Sequence, residues 1–129
     1  MANILLVDDE KDIVTLIQFV LVKEGHNVRT ACNGVEALQE AGVLPGSGSH
    51  PMPDLILMDM LMPMMDGHTA CLKLSQHPEA GKIPVLVLTA RGTARDTFKD
   101  CPNVRGFVDK PFDPKSLRDT VAATAGKKA

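Results

Sequence analysis

Five short, mostly apolar runs recur along this chain, and the segments between them carry a helical rhythm. The runs cover residues 3–7, 27–31, 54–58, 83–88 and 104–108. Continuous apolar runs of this length predict strands covered on both faces, as in a parallel sheet. Between the first two, Ile13, Leu16, Ile17, Val20 and Leu21 recur at helical spacing, and Gly25 stands where a C′ glycine ends a helix. Asn33 with Glu36 three residues on predicts a capping box opening a second helix, which Gly42 ends. A third helix is predicted from about Asp66-Gly67 to before Pro78. A short fourth should occupy about 93–100, stopped by Pro102. The last begins at Asp113-Pro114, an N-cap followed by proline at N1, with Leu117 and Val121 on one face. Residues 43–53 are rich in Gly, Pro and Ser and read as a flexible loop.

Strict alternation of strand and helix predicts an α/β fold, a doubly wound (βα)5 unit with a five-stranded parallel sheet and right-handed crossovers. In such folds ligands bind outside the carboxyl ends of the strands. The polar residues at those ends are therefore the informative ones. Asp8 and Asp9 follow the first run, Asp59 closes the third, Thr89 closes the fourth, and Lys110 follows the fifth.

An apolar strand seldom ends in a carboxylate for packing reasons, because an unpaired buried carboxylate is costly. Three carboxylates brought together repel one another unless a cation joins them. Mg²⁺ suits such a site, since it takes oxygen ligands and keeps several waters. A carboxylate can also act as a nucleophile toward a phosphoryl group. Mg²⁺ and Lys110 would each hold a phosphoryl oxygen, and the Thr89 hydroxyl with the Ala90 N–H would reach the third.

Composition narrows the classes. The chain has 129 residues, the size of one domain, and 44% of them are hydrophobic. A net charge of −2 gives no field for nucleic acid or an anionic membrane, and 3% aromatic content offers no base-stacking platform. The start Met1-Ala2-Asn3 has no basic stretch or long apolar run, so neither a signal peptide nor a membrane span is expected. Cys32, Cys71 and Cys101 fit neither a disulfide framework nor a zinc pattern, and read as reduced packing residues of a cytoplasmic protein.

Each residue has an ordinary reading. Asp8-Asp9 could cap a helix, Asp59 could sit in a turn, Thr89 could be a strand residue, and Lys110 could be solvated. Their joint placement on four strand ends favours a site. Met58, Met60, Met62, Met64 and Met65 read as packing residues. His26, His50, His68 and His77 share no strand end with the acids and receive no catalytic role.

The stretches Ile4–Glu10, Asp54–Met60 with Met62-Pro63 and Asp66-Gly67, Pro84–Ala90, and Asp109-Lys110-Pro111-Phe112 resemble the receiver domain of the response regulators of two-component signalling. The likeness is closest to the single-domain, CheY-like type and runs from Asn3 to about Ala123. It implies a flavodoxin-like sheet of order 2-1-3-4-5 in a single domain, residues 1–129, with a core of about 3–123 and a frayed end at 124–129. It implies that Asp59 is the phosphoacceptor, with Asp9 the direct side-chain Mg²⁺ ligand, Asp8 acting through water, and Met60 giving a backbone carbonyl. Thr89 would be the switch hydroxyl, Lys110 the phosphoryl clamp, and Phe107 the switch aromatic, here without a hydroxyl. Pro111 would follow a cis peptide bond. Leu61 and Arg91 would tune how long the phosphoryl group survives.

The implied function is a phosphorylation-dependent signalling switch, not an enzyme beyond its own phosphorylation and dephosphorylation. A histidine kinase or histidine phosphotransfer protein would donate, and a downstream protein would read the region around 91–112. Neither nucleic acid nor a membrane is expected as a partner. Output would pass through another protein, or the chain would be a piece of a longer one. The alternative is a receiver-fold interaction module that works without phosphorylation. An aspartate-nucleophile phosphatase would want a second acid two residues after Asp59, where Leu61 stands. A flavin-binding relative would want a hydroxyl- and glycine-rich phosphate loop after the first strand, which this chain lacks.

Overall fold

The computed structural model describes residues 3–41, 53–60, 65, 67–90, 101–110 and 113–126, with the backbone alone at 89–90, 109–110 and 125–126. Five parallel strands, β1 (Asn3–Val7), β2 (Asn27–Ala31), β3 (Leu55–Asp59), β4 (Val85–Ala90) and β5 (Val104–Lys110), form one sheet in the order β2-β1-β3-β4-β5. Among the described residues are four helices, α1 (Lys11–Lys23), α2 (Gly34–Glu40), α3 (Gly67–Ser75) and α4 (Pro114–Gly126), and one 3₁₀ turn, Ala80–Lys82. The helix expected at 93–100, the loop at 43–52, Gly42, Leu61, Arg91 and the Pro111 peptide bond lie outside the described residues.

Alternation along the strands divides the core into two layers. Leu5, Val7, Ile56, Met58, Val85 and Val87 point to one face, where Ala37 and Leu38 of α2 and Ala70, Cys71 and Leu74 of α3 cover them. Ile4, Leu6, Leu55, Leu57, Leu86 and Leu88 point to the other, under Ile17 and Leu21 of α1 and Leu117 and Val121 of α4. β1, β3 and β4 are buried on both faces, which explains their unbroken apolar runs; the edge strands β2 and β5 were expected to be covered in the same way but are only partly buried. Full burial of each such leucine or isoleucine contributes about 1.5–3 kcal/mol.

The caps follow the sequence closely. Gly25 adopts φ 92°, and the N–H groups of Gly25 and His26 donate to the carbonyls of Val22 and Leu21, closing α1 with a Schellman motif. Asn33 Oδ1 accepts from the Glu36 N–H at 2.9 Å. The return bond of this box reaches one residue further back than expected, from the Cys32 N–H to Glu36 Oε1 at 3.0 Å. Asp113 Oδ2 accepts from the Ser116 N–H at 3.1 Å at the start of α4, which continues helical to Gly126, past residue 123.

Two expectations need correction. Leu16 is not a core residue but 45% exposed. One residue turns a helix by about 100°, so with Ile17 seated on the sheet its neighbour falls outside the contact. Leu16, Phe19 and Val22 form an exposed apolar flank of α1. Cys32 is likewise exposed rather than packed; Cys71 and Cys101 are buried, and all three are free thiols.

β5 carries one irregularity. Val104 pairs with Val85 but Gly106 pairs with Leu86, so Arg105 is an extra residue and the strand bulges. Val104 and Phe107, three residues apart, consequently pack against the same layer of the core, while Val108 joins the other. In a regular strand a spacing of three would place them on opposite faces. A Cβ at Gly106 would stand 3.1 Å from Leu86 Cδ2, so the close approach at the bulge favours glycine.

Candidate functional site

The carboxyl ends of β1 and β3 lie side by side, since Val7 pairs with Met58. Asp8 follows Val7, and its N–H donates to the Ala31 carbonyl at 3.1 Å, extending the β1–β2 ladder by one bond. Its side chain, 2% exposed, lies beside that of Asp59, which is 6% exposed at the end of β3. Asp59 Oδ1 accepts from the Met60 N–H at 2.9 Å.

Asp8 Oδ1 accepts from the Glu10 N–H at 2.9 Å. That bond turns the chain back over the end of β1 as α1 begins. Glu10 is the N-cap of α1, in extended conformation (φ −88°, ψ 109°), and its carbonyl accepts from the Val14 N–H at 3.0 Å. Its side chain makes no capping hydrogen bond. One carboxylate oxygen from each of Asp8, Glu10 and Asp59 lies within 4.8 Å of the other two.

Asp9 and Glu10 are both exposed, and Glu10, which spacing alone did not single out, belongs to this group. The missed signal is the Asx-type turn. An aspartate whose side chain accepts from the N–H two residues on folds that residue's side chain back toward itself.

The donor set decides what could be held there. All three members are carboxylates, hard oxygen donors of like charge, and such a group is stabilised by a hard divalent cation rather than by a soft metal. These residues could therefore bind a metal ion. The Met60 carbonyl, expected as a further ligand, accepts from the Gly67 N–H at 2.9 Å and keeps a second lone pair.

The remaining candidates are placed by strand register. Asp59 pairs with Leu88, the residue before Thr89. Thr89 pairs with Asp109, and Ala90 with Lys110. Backbone positions 8, 59, 89, 90 and 110 thus share one edge of the sheet. Phe107 pairs with Val87, half-buried against the layer covered by α2 and α3. His77 has a structural task at the far end of α3, where Nδ1 accepts from the N–H groups of Glu79 and Ala80.

Known proteins are similar to this chain in sequence and fold. The family model described as the response regulator receiver domain matches residues 4–122. The alkaline phosphatase synthesis transcriptional regulatory protein PhoP of Bacillus subtilis is 36% identical over 122 residues, covering 94% of this chain and 47% of that protein. The DNA-binding dual master transcriptional regulator RpaA of Synechocystis is 32% identical over 124 residues, covering 95% and 48%. The chain spans about half the length of these relatives. A response regulator of Chloroflexus aurantiacus superposes with a TM-score of 0.85 at 31% identity, covering 98% of each chain. The receiver domain of the sensor histidine kinase PA1611 of Pseudomonas aeruginosa, solved with a magnesium ion coordinated in its active-site cleft, gives 0.83 at 25% identity, also covering 98% of each.

Proposed function

This chain belongs to the response regulator receiver domain family, and from that premise we propose that it is a phosphorylation-dependent switch whose phosphoacceptor is Asp59. The observation that carries this reading is the Asp59 carboxylate, buried at the end of β3 within 4.8 Å of Asp8, on the edge where Thr89, Ala90 and Lys110 also end their strands. The trio fits Mg²⁺, with Asp8, Asp59 and the Met60 carbonyl among the groups that would hold it. When bound, Mg²⁺ neutralises charge on the carboxylates and on the incoming phosphoryl oxygens.

The chain's own residues do the rest. An Asp59 oxygen attacks phosphorus as the P–N bond to the donor histidine breaks. The imidazole leaves with the electron pair and takes up a proton from water. Asp59 becomes an acyl phosphate, Lys110 balances one phosphoryl oxygen, and Thr89 with the Ala90 N–H donates to another. The added dianion draws Thr89 inward and reorients Phe107 along the β4–β5 edge. Moving such an equilibrium from about 1:99 to 99:1 takes about 5.5 kcal/mol of differential interaction, within reach of several charge-assisted contacts in a partly buried site.

Members of this family work with histidine kinases and downstream targets, and we read this chain as a signalling module of that kind, a single domain acting in the cytoplasm. None of its described helices is long and apolar enough to cross a membrane. The face expected to meet the downstream partner, around 91–112, falls partly outside the described residues. The sequence favours no nucleic-acid partner, given a net charge of −2. RpaA, of which the chain covers 48%, is a DNA-binding regulator, so nucleic acid stays open as the output of any longer protein.

Beryllofluoride with Mg²⁺ tests the reading, because it mimics a phosphoryl group on a carboxylate. ¹⁹F NMR should show a bound resonance with the wild type and none with Asp59→Asn. An equal resonance from both proteins would exclude Asp59 as the acceptor.

A further inference from the structure

We propose that the outward face of α1 is a self-association surface, on which a second copy of this chain docks its own α1 in antiparallel orientation around a two-fold axis.

Asp12, Leu16, Phe19 and Lys23 follow one another at steps of four, three and four residues, which aligns them in one stripe along α1. All four are exposed, Leu16 to 45% and Phe19 to 65%. The stripe faces away from Ile17 and Leu21, which seat the helix on the sheet. Val22, 53% exposed, widens its apolar centre. Phe19 and Val22, with Thr15, Gln18 and Lys23, border a shallow groove of about 410 Å³. Three large apolar side chains held together in water on one helix face mark an interaction surface.

The order of the stripe selects the occupant. It reads acid, apolar, apolar, base. Laid antiparallel against itself, with the two-fold between positions 17 and 18, it sets Leu16 against Phe19 of the second copy and Asp12 against Lys23 of the second copy, each pair occurring twice. Alternate steps of three and four residues produce such layers when two helices pack along a common seam. A parallel pairing would instead set Asp12 against Asp12 and Lys23 against Lys23. Among the described residues, neither Asp12 nor Lys23 joins an ion pair within its own chain. One self-complementary face is all that a two-fold dimer requires. The opposed helix dipoles favour the same orientation.

Only one helix face is covered on each copy, so the contact sits at the small end of specific interfaces and the dimer is weak and concentration-dependent. No member of the stripe belongs to the carboxylate group of the candidate site, so association needs neither Mg²⁺ nor a phosphoryl group. α1 packs on β1 and β2, away from β5 at the far edge of the sheet, and the dimer keeps that edge open to a downstream protein.

Sedimentation velocity of the full chain, without Mg²⁺ or phosphodonor and between about 10 µM and about 1 mM, tests the proposal. The wild type should move from monomer toward dimer as concentration rises. Phe19→Glu should weaken the dimer by about thirtyfold or more, as loss of a central aromatic anchor does. Asp12→Lys and Lys23→Asp, each alone, should weaken it by about fivefold, because like charges then oppose each other at both ends of the seam. The double variant Asp12→Lys with Lys23→Asp should return to within about twofold of wild type, since the exchange restores both pairs. All the substituted side chains are exposed, and a cooperative melt close to that of the wild type confirms folding in each variant. A wild type that stays monomeric throughout would overturn the proposal and leave this face to a different protein. A dimer that persists in Phe19→Glu would place the contact elsewhere. A double variant no better than the single ones would overturn the antiparallel pairing.

Discussion

Gly67 sits so close to Asp59 that a Cβ built on it would run into the Asp59 carbonyl oxygen and stand 3.1 Å from Met60 Cα. The first turn of α3 therefore rests directly on the backbone at the end of β3. The Gly67 N–H donates to the Met60 carbonyl, the same oxygen proposed for the cation. Any side chain at position 67 must push α3 away from β3 or shift Met60. Gly67→Ala should cost about 1–3 kcal/mol, the usual range for overpacking. It should also weaken Mg²⁺ binding. Urea denaturation with and without Mg²⁺ checks both effects, and wild-type stability would show that the contact relaxes freely.

Asp8 is one of the carboxylates proposed to hold the cation. A ligand that binds only the folded state stabilises it by about 2.7 kcal/mol at a concentration of one hundred dissociation constants. Mg²⁺ should therefore raise the melting temperature of the wild type. In Asp8→Asn the rise should shrink to a small fraction, although this protein can still fold without metal. Denaturation scans across a Mg²⁺ series, with EDTA as the baseline, measure it. An undiminished Mg²⁺ effect in Asp8→Asn would remove Asp8 from the site.

The strand ends were legible in the sequence because of one physical fact. A strand buried on both faces reads as an unbroken apolar run, so its carboxyl end is visible as the first polar residue. Asp8 and Asp59 were found this way, and the two-layer packing explains why. Glu10 was not, because a turn made by the Asp8 side chain brings it in, and side-chain turns leave no periodic trace. The β5 bulge was hidden for a related reason. Alternation predicts that Val104 and Phe107 face opposite ways, and the extra Arg105 puts them on the same side. The glycine at 106 was the available sign, since a glycine inside a strand pattern often marks a bulge.

The cap of α2 offers a test away from the site. Asn33 is 8% exposed and accepts from the Glu36 N–H. Asn33→Ala should destabilise the fold by about 1 kcal/mol, with Mg²⁺ affinity unchanged. Chemical denaturation together with a Mg²⁺ titration separates the two quantities. A loss of metal binding would mean that α2 transmits to the site, contrary to this account.

His26 predicts a pH dependence whose sign can be worked out. Partial burial lowers its imidazole below the ordinary value of 6.5, with Glu24 opposing. The unfolded chain then holds the extra proton at a pH where the folded protein does not, so stability rises with pH through the window just below 6.5. Protonation below the lowered folded value carries the full penalty. Replacing His26 with Gln should remove this part of the slope, so the stability of the variant relative to wild type should be better at pH 5 than at pH 7.5. Melting curves of the two proteins across that range decide it, and parallel curves would contradict the shift.

The central claim is that Asp59 accepts a phosphoryl group. Intact-mass spectrometry after incubation with acetyl phosphate and Mg²⁺, followed by peptide mapping of the labile adduct, tests it most directly. The account predicts one phosphoryl group per chain, located on Asp59, not formed when EDTA replaces Mg²⁺ and absent from Asp59→Asn. The same adduct on Asp59→Asn, or a wild type that takes up none while binding Mg²⁺, would contradict it.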